Sequence, residues 1–338
     1  MMRKLRTSSI LAVSLSIALF GPLLQAHAVT VAPVAANQAS VASAMSVYGI
    51  QLGMSSTQVA KILGNPVRKD PSTTGVEWWI YNKDLRHYIQ VGMQKDKVVT
   101  LFSNGLQVNL KGIGIGAGTD ALQKAWGAPK SSLDITPTLK ITNNTLSHPS
   151  YAQNNQIVTF SIDQLGGNKV AGVRISTPEH FSTIAIELMY PIAYKAFPAQ
   201  PVLTDEQRKQ AARAVEKENF DLLNIARSRA NLPLLTWDES VAAVARAHSL
   251  DMVQNNYFNH VSPKTGSPFD RLKRAGISFG YAGENIAYGQ LDGIEVHMGW
   301  MNSAGHRQNL LNPHFKQLGV GVSYKGTQPF YTQNFVSR

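Results

Sequence analysis

Four side chains in the last third of the sequence are of the types that bind a metal ion or exchange a proton. They are His248 in ARAHSLDM, His260 in FNHVSP, Glu284 in AGENIAYG and His306 in SAGHRQNLL. They are spread over 58 positions, so only a folded structure can bring them to one site. The sequence contains no H-E-x-x-H zinc motif, and spacing alone therefore predicts no particular reaction.

Capping residues and apolar periodicity predict the elements that must position these side chains. Thr204 and Gln207 form a capping-box pattern that opens a long helix. Further helices are predicted to begin near Asp238 and at Ser267, and one or two more lie within 294–311. Two terminal strands, LGVGVSYK and PFYTQNFV, follow. This order of helices, loops and a few strands predicts an α+β domain.

Several stretches of this C-terminal domain resemble the CAP superfamily, named after cysteine-rich secretory proteins, antigen five and plant pathogenesis-related proteins. The resemblance covers about 130 residues, from Asp205 to Phe335, and rests on HVSPKTGSPFDRL, AGENIAYG, WMNSAGHRQNLLNPHFKQLGVGV and FYTQNF. It implies an α-β-α sandwich with a central cleft lined by two histidines and acidic residues. By motif, His260 and His306 match the two histidines and Glu284 matches the glutamate.

The sequence departs from the family pattern at one cleft position. Members with animal or plant patterns carry another glutamate shortly after the tryptophan matched by Trp300, whereas here 301–303 read Met-Asn-Ser. Two imidazoles and one carboxylate can still hold Zn²⁺ with a position open for water. We therefore expect His260 and His306 as candidate metal ligands and Zn²⁺ as the candidate cofactor. Without metal, Glu284 would stabilise a neighbouring imidazolium.

Three further residues are secondary candidates for the cleft. His248 lies on a helix rich in Ala and Val, where a histidine is more often structural than a ligand. Asn285 is expected to hydrogen-bond loop backbone, and Arg307 to tie its loop to a carboxylate. His297 and His314 are expected at the surface.

The N-terminal half contains an internal repeat. GMSSTQVAKILGNP at 53–66 aligns without gaps with GAGTDALQKAWGAP at 116–129. Each copy predicts a short helix closed by glycine and followed by strands, among them TIAIELMY after the second copy. The two helix-plus-hairpin units predict one smaller α+β domain, which resembles the module often found ahead of CAP domains in secreted bacterial proteins.

The first residues are typical of a secretory signal. A basic start is followed by an apolar stretch at 8–20 and by the cleavage pattern Ala-His-Ala at 26–28. An uncleaved membrane anchor is the alternative. The predicted organisation is a signal peptide at 1–28, a flexible leader at 29–45, the repeat domain at 46–192, a linker at 193–204 and the CAP domain at 205–338. We expect cleavage within the linker to release two folded pieces.

Composition narrows the class of protein. The sequence has no cysteine, which excludes disulfides, cysteine catalysis and thiolate metal sites. The formal charge is +11, and removal of the signal's Arg3, Lys4 and Arg6 leaves +8. Such a charge favours anionic envelope polymers or lipids as partners, although it also serves solubility alone. No basic run predicts nucleic-acid binding, and no segment after the signal is apolar enough to span a membrane.

Three functions are compatible with these features. The first is a secreted, extracellular or cell-wall-associated binding module without catalysis, whose cleft holds a divalent metal or a small amphiphilic ligand. The second is a metal-assisted hydrolase or peptidase in which Glu284 is either a ligand or the general base; it cannot easily be both. The third is a structural or signalling protein whose motifs only stabilise the fold. We expect the binding module and consider catalysis the alternative.

Overall fold

The computed structural model describes residues 45–188, 191–194 and 201–338. The predicted signal peptide lies outside the described residues, as do nearly all of the predicted leader and part of the predicted linker. Within the described ranges, no helix is long and apolar enough to cross a membrane.

The repeat region, residues 47–176, is built on one antiparallel sheet. Its first copy contains α1 (Ser56–Leu63), β1 (Arg68–Pro71), β2 (Glu77–Tyr81), β3 (Ile89–Gln94) and β4 (Lys97–Ser103). Its second copy contains α2 (Thr119–Trp126), β5 (Ser132–Thr136), β6 (Leu139–Thr142), β7 (Ser150–Gln153), β8 (Gln156–Asp163) and β9 (Lys169–Ser176). Seven strands pair in the order β1-β2-β3-β4-β9-β8-β7, so the last strands of the two copies meet in the middle.

Equivalent hydrogen bonds show that the two copies share a backbone path. Gly53 N donates to Val98 O and Gly116 N donates to Val170 O, both at 2.8 Å. The equivalence begins six residues before the aligned segments, where matching bridges join Val47 to Ile50 and Leu110 to Ile113. The predicted pair of helix-plus-strand units is therefore confirmed, and the repeat is longer than its sequence similarity indicates.

The stretch TIAIELMY is not a strand, and here the sequence prediction is wrong. It lies largely in α3 (Pro178–Leu188), which is followed by β10 (Pro191–Tyr194). Pro178 occupies the first turn and Phe181 N donates to Thr177 O at 2.8 Å, which are ordinary features of a helix start. Phe181, Ile184 and Ala185 are buried at helical spacing. The β-branched residues of this short apolar run resemble a strand, and only packing decides between the two. β10 joins β6 and β5 in a second small sheet.

The C-terminal region, residues 201–338, has the predicted order of helices and strands. Its elements are α4 (Asp205–Arg229), β11 (Thr236–Trp237), α5 (Glu239–Asn255), α6 (Pro268–Arg274), β12 (Tyr281–Tyr288), α7 (Gly293–Met301), α8 (Ala304–Leu310), β13 (Gln317–Lys325) and β14 (Gln328–Ser337). Capping boxes at Thr204 and Ser267 open α4 and α6, as the sequence predicts. The strands pair in the order β11-β13-β14-β12, antiparallel except for the short β11–β13 pair.

Glycine alternates with larger apolar residues in LGVGV at 318–322. This alternation decides which helix packs on each face of the sheet. A Cβ on Gly319 would lie 2.1 Å from Ala242 N, and one on Gly321 would lie 2.1 Å from Arg246 N. α5 therefore packs directly on the glycine face of β13. The intervening Leu318, Val320 and Val322 point to the other face, where they join the core formed with α4 and α7. Helices on both faces of the sheet make the predicted α-β-α sandwich.

The two regions share a hydrophobic core at their junction. Trp78, Tyr88 and Phe102 of the repeat region pack in one buried cluster with residues of α4 and α7, namely Leu222, Ile225 and Ile294. The described residues also belong to a single compact unit. A shared apolar core couples the unfolding of its two sides, which weighs against two pieces that fold independently after cleavage.

Candidate functional site

Glu284 lies at the centre of a polar cluster on β12. Its Oε1 is 2.9 Å from His260 Nδ1, and its Oε2 accepts a hydrogen bond from Arg271 Nη2 at 2.6 Å. Arg271, on α6, also donates to His260 O at 2.9 Å and to Gly266 O at 2.8 Å. One buried guanidinium thus holds both the carboxylate and the loop that carries His260.

This contact orients the ring of His260. A carboxylate can only accept, so the proton of a neutral His260 lies on Nδ1 and the lone pair lies on Nε2. The side chain is 46% exposed, whereas that of Glu284 is 2% exposed. His260 therefore presents a fixed acceptor nitrogen at the surface, with its orienting carboxylate behind it.

His248 forms the buried floor of the same cluster. Its Nε2 is 3.1 Å from Asn259 O and 3.9 Å from Glu284 Oε1. Burial lowers the pKa of His248, and Glu284 opposes that effect only in part. A carbonyl oxygen needs a donor, so Nε2 carries the proton of the neutral ring. His248 therefore supports the loop of His260 and does not offer a nitrogen at the surface.

His306 lies on α8 beside His260 and is half-buried. Its pKa is lowered, first by burial and then by interaction with His260. His306 O accepts from Asn285 Nδ2 at 3.2 Å, and Asn309 Nδ2 donates to Asn285 Oδ1 at 2.9 Å. Asn285 therefore joins α8 to β12, as expected of a residue that hydrogen-bonds loop backbone.

Close contact between α8 and β12 depends on a glycine next to the glutamate. A Cβ on Gly283 would lie 2.8 Å from the ring of Phe315 and 3.1 Å from Asn309 Oδ1. No side chain fits there without movement of an aromatic ring. The glycine of the AGENIAYG segment is thus a packing requirement of the cleft formed by His260, Glu284 and His306.

Two predicted positions differ from expectation. Arg307 points away from the cleft and binds Asp163 of the repeat region through Nη1–Oδ1 at 2.6 Å and Nη2–Oδ2 at 3.0 Å. It does tie a carboxylate, but it does not line the cleft. His297 is buried instead of exposed, and burial lowers its pKa to about 3. Both residues line a cavity of about 670 Å³ at the junction of the two regions.

A serine-hydrolase motif in the sequence proves not to be a nucleophile elbow. Residues 276–280 read G-I-S-F-G and match G-x-S-x-G. That motif requires a strand–turn–helix context. Ser278 is instead exposed in the loop that leads from α6 to β12. The match is therefore fortuitous.

The donor set of the cleft fits a metal ion only in part. Among the described residues, no group of three or more His, Cys, Asp or Glu side chains is arranged to hold one. Both oxygens of Glu284 are engaged, and the positive charge of Arg271 lies beside them. Near the position of the missing acid, Asn302 donates to Ile162 O at 2.8 Å. His260 and His306 remain as two nitrogen donors, where a zinc site usually has three protein ligands.

An exposed aromatic edge next to the cleft was missed in the sequence. Phe258, two residues before His260, is 49% exposed, and its ring lies 6.1 Å from that of Tyr288, which is 44% exposed. Phe330 completes the group, 4.8 Å from Tyr288. Val261 on the same loop is 56% exposed. The only sequence signal was the presence of apolar residues on both sides of a polar site residue.

Comparisons with known proteins agree with both halves of the chain. Residues 220–335 match the cysteine-rich secretory protein family profile and residues 52–184 match the CAP-associated N-terminal profile. The chain is 36% identical over 300 residues to the uncharacterized membrane protein YlbC of Bacillus subtilis, covering 85% of this chain and 82% of the relative. It is 44% identical over 140 residues to YkwD of the same organism, covering 41% of this chain and 54% of YkwD.

Two solved structures are similar over most of the chain. An extracellular protein containing an SCP domain from Bacillus anthracis has a TM-score of 0.76 at 36% identity, covering 85% of this chain and 94% of that one. A cysteine-rich secretory protein from Staphylococcus aureus has a TM-score of 0.68 at 18% identity with the same coverage. The second likeness is one of fold alone.

Proposed function

Since this chain belongs to the cysteine-rich secretory protein (CAP) family, we propose that it is a secreted binding protein of the cell envelope whose ligand contacts the cleft of His260, Glu284 and His306. The relatives support the location: one is named a membrane protein and another an extracellular protein. The net positive charge of the chain supports attraction to an anionic envelope surface.

One observation carries the preference for binding over catalysis. Glu284 is buried, and each of its oxygens already accepts a hydrogen bond, one from His260 and one from Arg271. A general base must be reached by the water it activates, whereas the side chain of Glu284 is 2% exposed and lies behind His260. Glu284 therefore shapes the cleft and orients His260, and no second carboxylate follows Trp300 to take over the role of base.

The ligand chemistry follows from what the cleft presents to solvent. His260 offers an acceptor nitrogen, and Phe258, Tyr288 and Val261 offer apolar surface next to it. Exposed aromatic side chains beside a polar group are typical of sites for amphiphilic molecules or for polymers with apolar faces. We therefore propose a ligand with one polar group and one apolar face, either a small amphiphile or part of an envelope polymer.

A metal-assisted hydrolase is the second candidate, and the two neighbouring histidines favour it. His306 has a lowered pKa and is therefore neutral at pH 7, the form that ligates metal. His260 and His306 would hold Zn²⁺, which would supply a polarised water. Glu284 would orient His260, and Arg271 would hold Glu284 in place.

Binding to defined envelope fractions tests the proposal. The mature protein would be sedimented with purified Gram-positive cell wall and, separately, with vesicles of neutral and anionic phospholipid. We expect Phe258→Ala and His260→Ala to weaken binding to the preferred fraction by about tenfold, roughly the loss of one good contact. His87→Ala is the matched control, since His87 is 40% exposed in the repeat region.

The outcomes separate the two candidates. If all variants bind like the wild type, the cleft is not the binding surface. Calorimetric titration with Zn²⁺ is run in parallel on the wild type, His306→Ala and the His87→Ala control. Tight binding that is lost only in His306→Ala would favour the metal site, and ester or peptide hydrolysis that depends on added Zn²⁺ would favour the hydrolase.

A further inference from the structure

The junction between the two regions contains buried charged side chains that the cleft does not use. On one side, Arg68 of β1 places Nη2 2.6 Å from Asp221 Oδ2 of α4 and Nε 2.6 Å from Asp70 Oδ2. Asn82 Nδ2 donates to the other oxygen of Asp221 at 3.0 Å. These contacts join β1 of the repeat region to the middle of α4.

A second group of charges joins β9 to the start of α7. Arg174 Nη2 lies 2.7 Å from Asp292 Oδ2 and 3.4 Å from Glu295 Oε1. His148 Nε2 lies 3.2 Å from Glu295 Oε2. Asp292 also accepts from the backbone N–H groups of Ile294 and Glu295, so it caps α7 while it binds the repeat region.

Glu218 lies between these two groups and has no partner. It is 1% exposed, and within the described part of the chain neither carboxyl oxygen has a hydrogen bond. A Cβ on Gly293 would lie 3.1 Å from Glu218 Oε2, so the glycine at the start of α7 makes room for the carboxyl group. The charged or titratable groups that face it are Asp70 and Arg68 from β1, Asp292 from the α7 cap, Asp221 from α4, Arg174 from β9 and Tyr88.

The charges at this junction do not balance if every acid is ionised. Five carboxyl groups, those of Asp70, Glu218, Asp221, Asp292 and Glu295, face the guanidinium groups of Arg68 and Arg174 and the imidazole of His148. A buried anion without a partner costs several kcal/mol, roughly, and buried carboxyl groups avoid this cost by keeping a proton.

The pKa directions agree with this geometry. Burial, followed by the negative charge of Asp70, raises the pKa of Glu218 well above its usual value. Burial likewise raises the pKa of Asp70 to about 6, against the opposing effect of Arg68. The unpartnered Glu218 in the middle is therefore the acid that keeps its proton.

We propose that the proton on Glu218 is part of the contact between the repeat region and the C-terminal region, so that docking weakens as the pH rises and this proton is lost. A carboxyl group that binds its proton more tightly when docked adds stability at low pH, and this contribution disappears above its docked-state pKa. Ionised Glu218 would repel Asp70, Asp221 and Asp292 on both sides of the junction.

A neighbouring histidine weakens docking when the pH falls. His180, on α3, is buried near Arg174 and Asp292, and its pKa is lowered to about 4, first by burial and then by Arg174. Such a group destabilises the docked state as the pH falls below its unfolded value of about 6.5. Protonation of His180 therefore opposes docking on the acid side, and loss of the Glu218 proton opposes it on the alkaline side.

Undocking has a structural consequence. The cavity of about 670 Å³ is lined by Phe102 and Val170 of the repeat region and by Ile225 and Met298 of the C-terminal region. Separation of the two sides opens it to solvent. The junction thus acts as a closure that responds to the pH outside the cell.

Hydrogen exchange on the full chain tests the proposal. Exchange of the amides in β1 and α4 is measured from pH 6 to 9 and corrected for the intrinsic rate. In the wild type we expect the open population to rise by up to about tenfold per pH unit between the open-state and the docked-state pKa of Glu218, because only the open state loses its proton in that range. Glu218→Gln, which keeps a neutral group of the same shape, should remove most of that rise. Glu206→Gln, exposed on the same helix, should leave it unchanged.

Two further measurements keep the test decisive if Glu218→Gln does not fold. Asp70→Asn removes the nearest repelling charge and should reduce the total pH-linked opening. Infrared difference spectra should show a protonated buried carboxyl group at pH 7 whose band disappears on the alkaline side in parallel with the opening. Equal pH dependence in the wild type and in the variant that folds, or no such band, would overturn the proposal.

Discussion

Two buried glutamates of the C-terminal region, Glu284 in the cleft and Glu218 at the junction, differ in the partners that each carboxyl group has. Glu284 in the cleft has an oxygen on His260 and an oxygen on Arg271. Glu218 at the junction is buried to a similar degree and has neither contact. The first is held between an imidazole and a guanidinium as an orienting group, whereas burial raises the pKa of the second well above its usual value.

The difference also separates two kinds of role. The cleft places its acid behind an exposed imidazole, so its charge acts on whatever binds at the surface. The junction places its acid between two parts of the same chain, so its protonation acts on their contact. Burial alone does not decide the role of a polar group; the hydrogen bonds available to its charged form do.

The largest expected loss of stability comes from removing Arg271, the charged partner of Glu284 in the cleft. Arg271→Ala leaves Glu284 as a buried anion facing only histidines, and we expect a loss of about 3–5 kcal/mol in the free energy of unfolding. Denaturant titration measures it. Arg274→Ala, on the same helix but exposed, should cost less than about 0.5 kcal/mol. Equal losses would mean that Arg271 contributes only helix packing.

The largest acid sensitivity is expected at the junction. His297 lines the junction cavity with a pKa of about 3, so it is neutral when folded and must be charged when unfolded in acid. Each pH unit below about 6.5 should then cost roughly 1.4 kcal/mol of stability. His297→Leu should flatten the fall in Tm between pH 6.5 and 4 relative to the wild type. The same slope in the variant and the wild type would contradict the assignment.

The same amide substitution should have different effects at the two glutamates. Glu284→Gln leaves one acceptor oxygen for the N–H groups of both His260 and Arg271, and we expect a loss of about 1.5–3 kcal/mol at pH 8. Glu218→Gln removes no hydrogen bond and should change stability by less than about 1 kcal/mol, with any change stabilising. Paired thermal and chemical melts compare them. A larger loss at Glu218 would show that its carboxyl has a partner.

The smallest expected loss of stability is at the partly exposed ion pair that links the two regions. Arg307→Ala removes the ion pair with Asp163. The side chains of Arg307 and Asp163 are 21% and 18% exposed. Solvent screening limits such a pair to about 1 kcal/mol or less, and the loss should shrink further in high salt. Ligand binding at the cleft should be unchanged, because Arg307 points away from it. Weakened ligand binding would place Arg307 in the cleft after all.

Local patterns were sufficient for most of the elements and failed in understandable places. Capping residues at Thr204 and Ser267 predicted helix starts, because an orphan backbone N–H is satisfied within three residues of the cap. TIAIELMY was mispredicted as a strand, because a short apolar run carries no period that distinguishes the two structures. The sequence analysis expected His297 at the surface. Its helix is apolar on several sides, so the sequence does not indicate which side packs against the rest of the protein.

The sequence by itself determined the family and most of the order of elements, and it singled out His260, Glu284 and His306 as site candidates, because these follow from motifs and from spacing within a few residues. Only the tertiary structure shows which buried carboxyl group has hydrogen-bond or ion-pair partners. Arg271 was not singled out in the sequence, although it contacts Glu284 only 13 positions away, and Glu218 was overlooked entirely. Arg307 and Asp163 are 144 positions apart. The charge state of a buried group depends on neighbours that come from distant parts of the chain, and the physical interaction that fixes it acts through space.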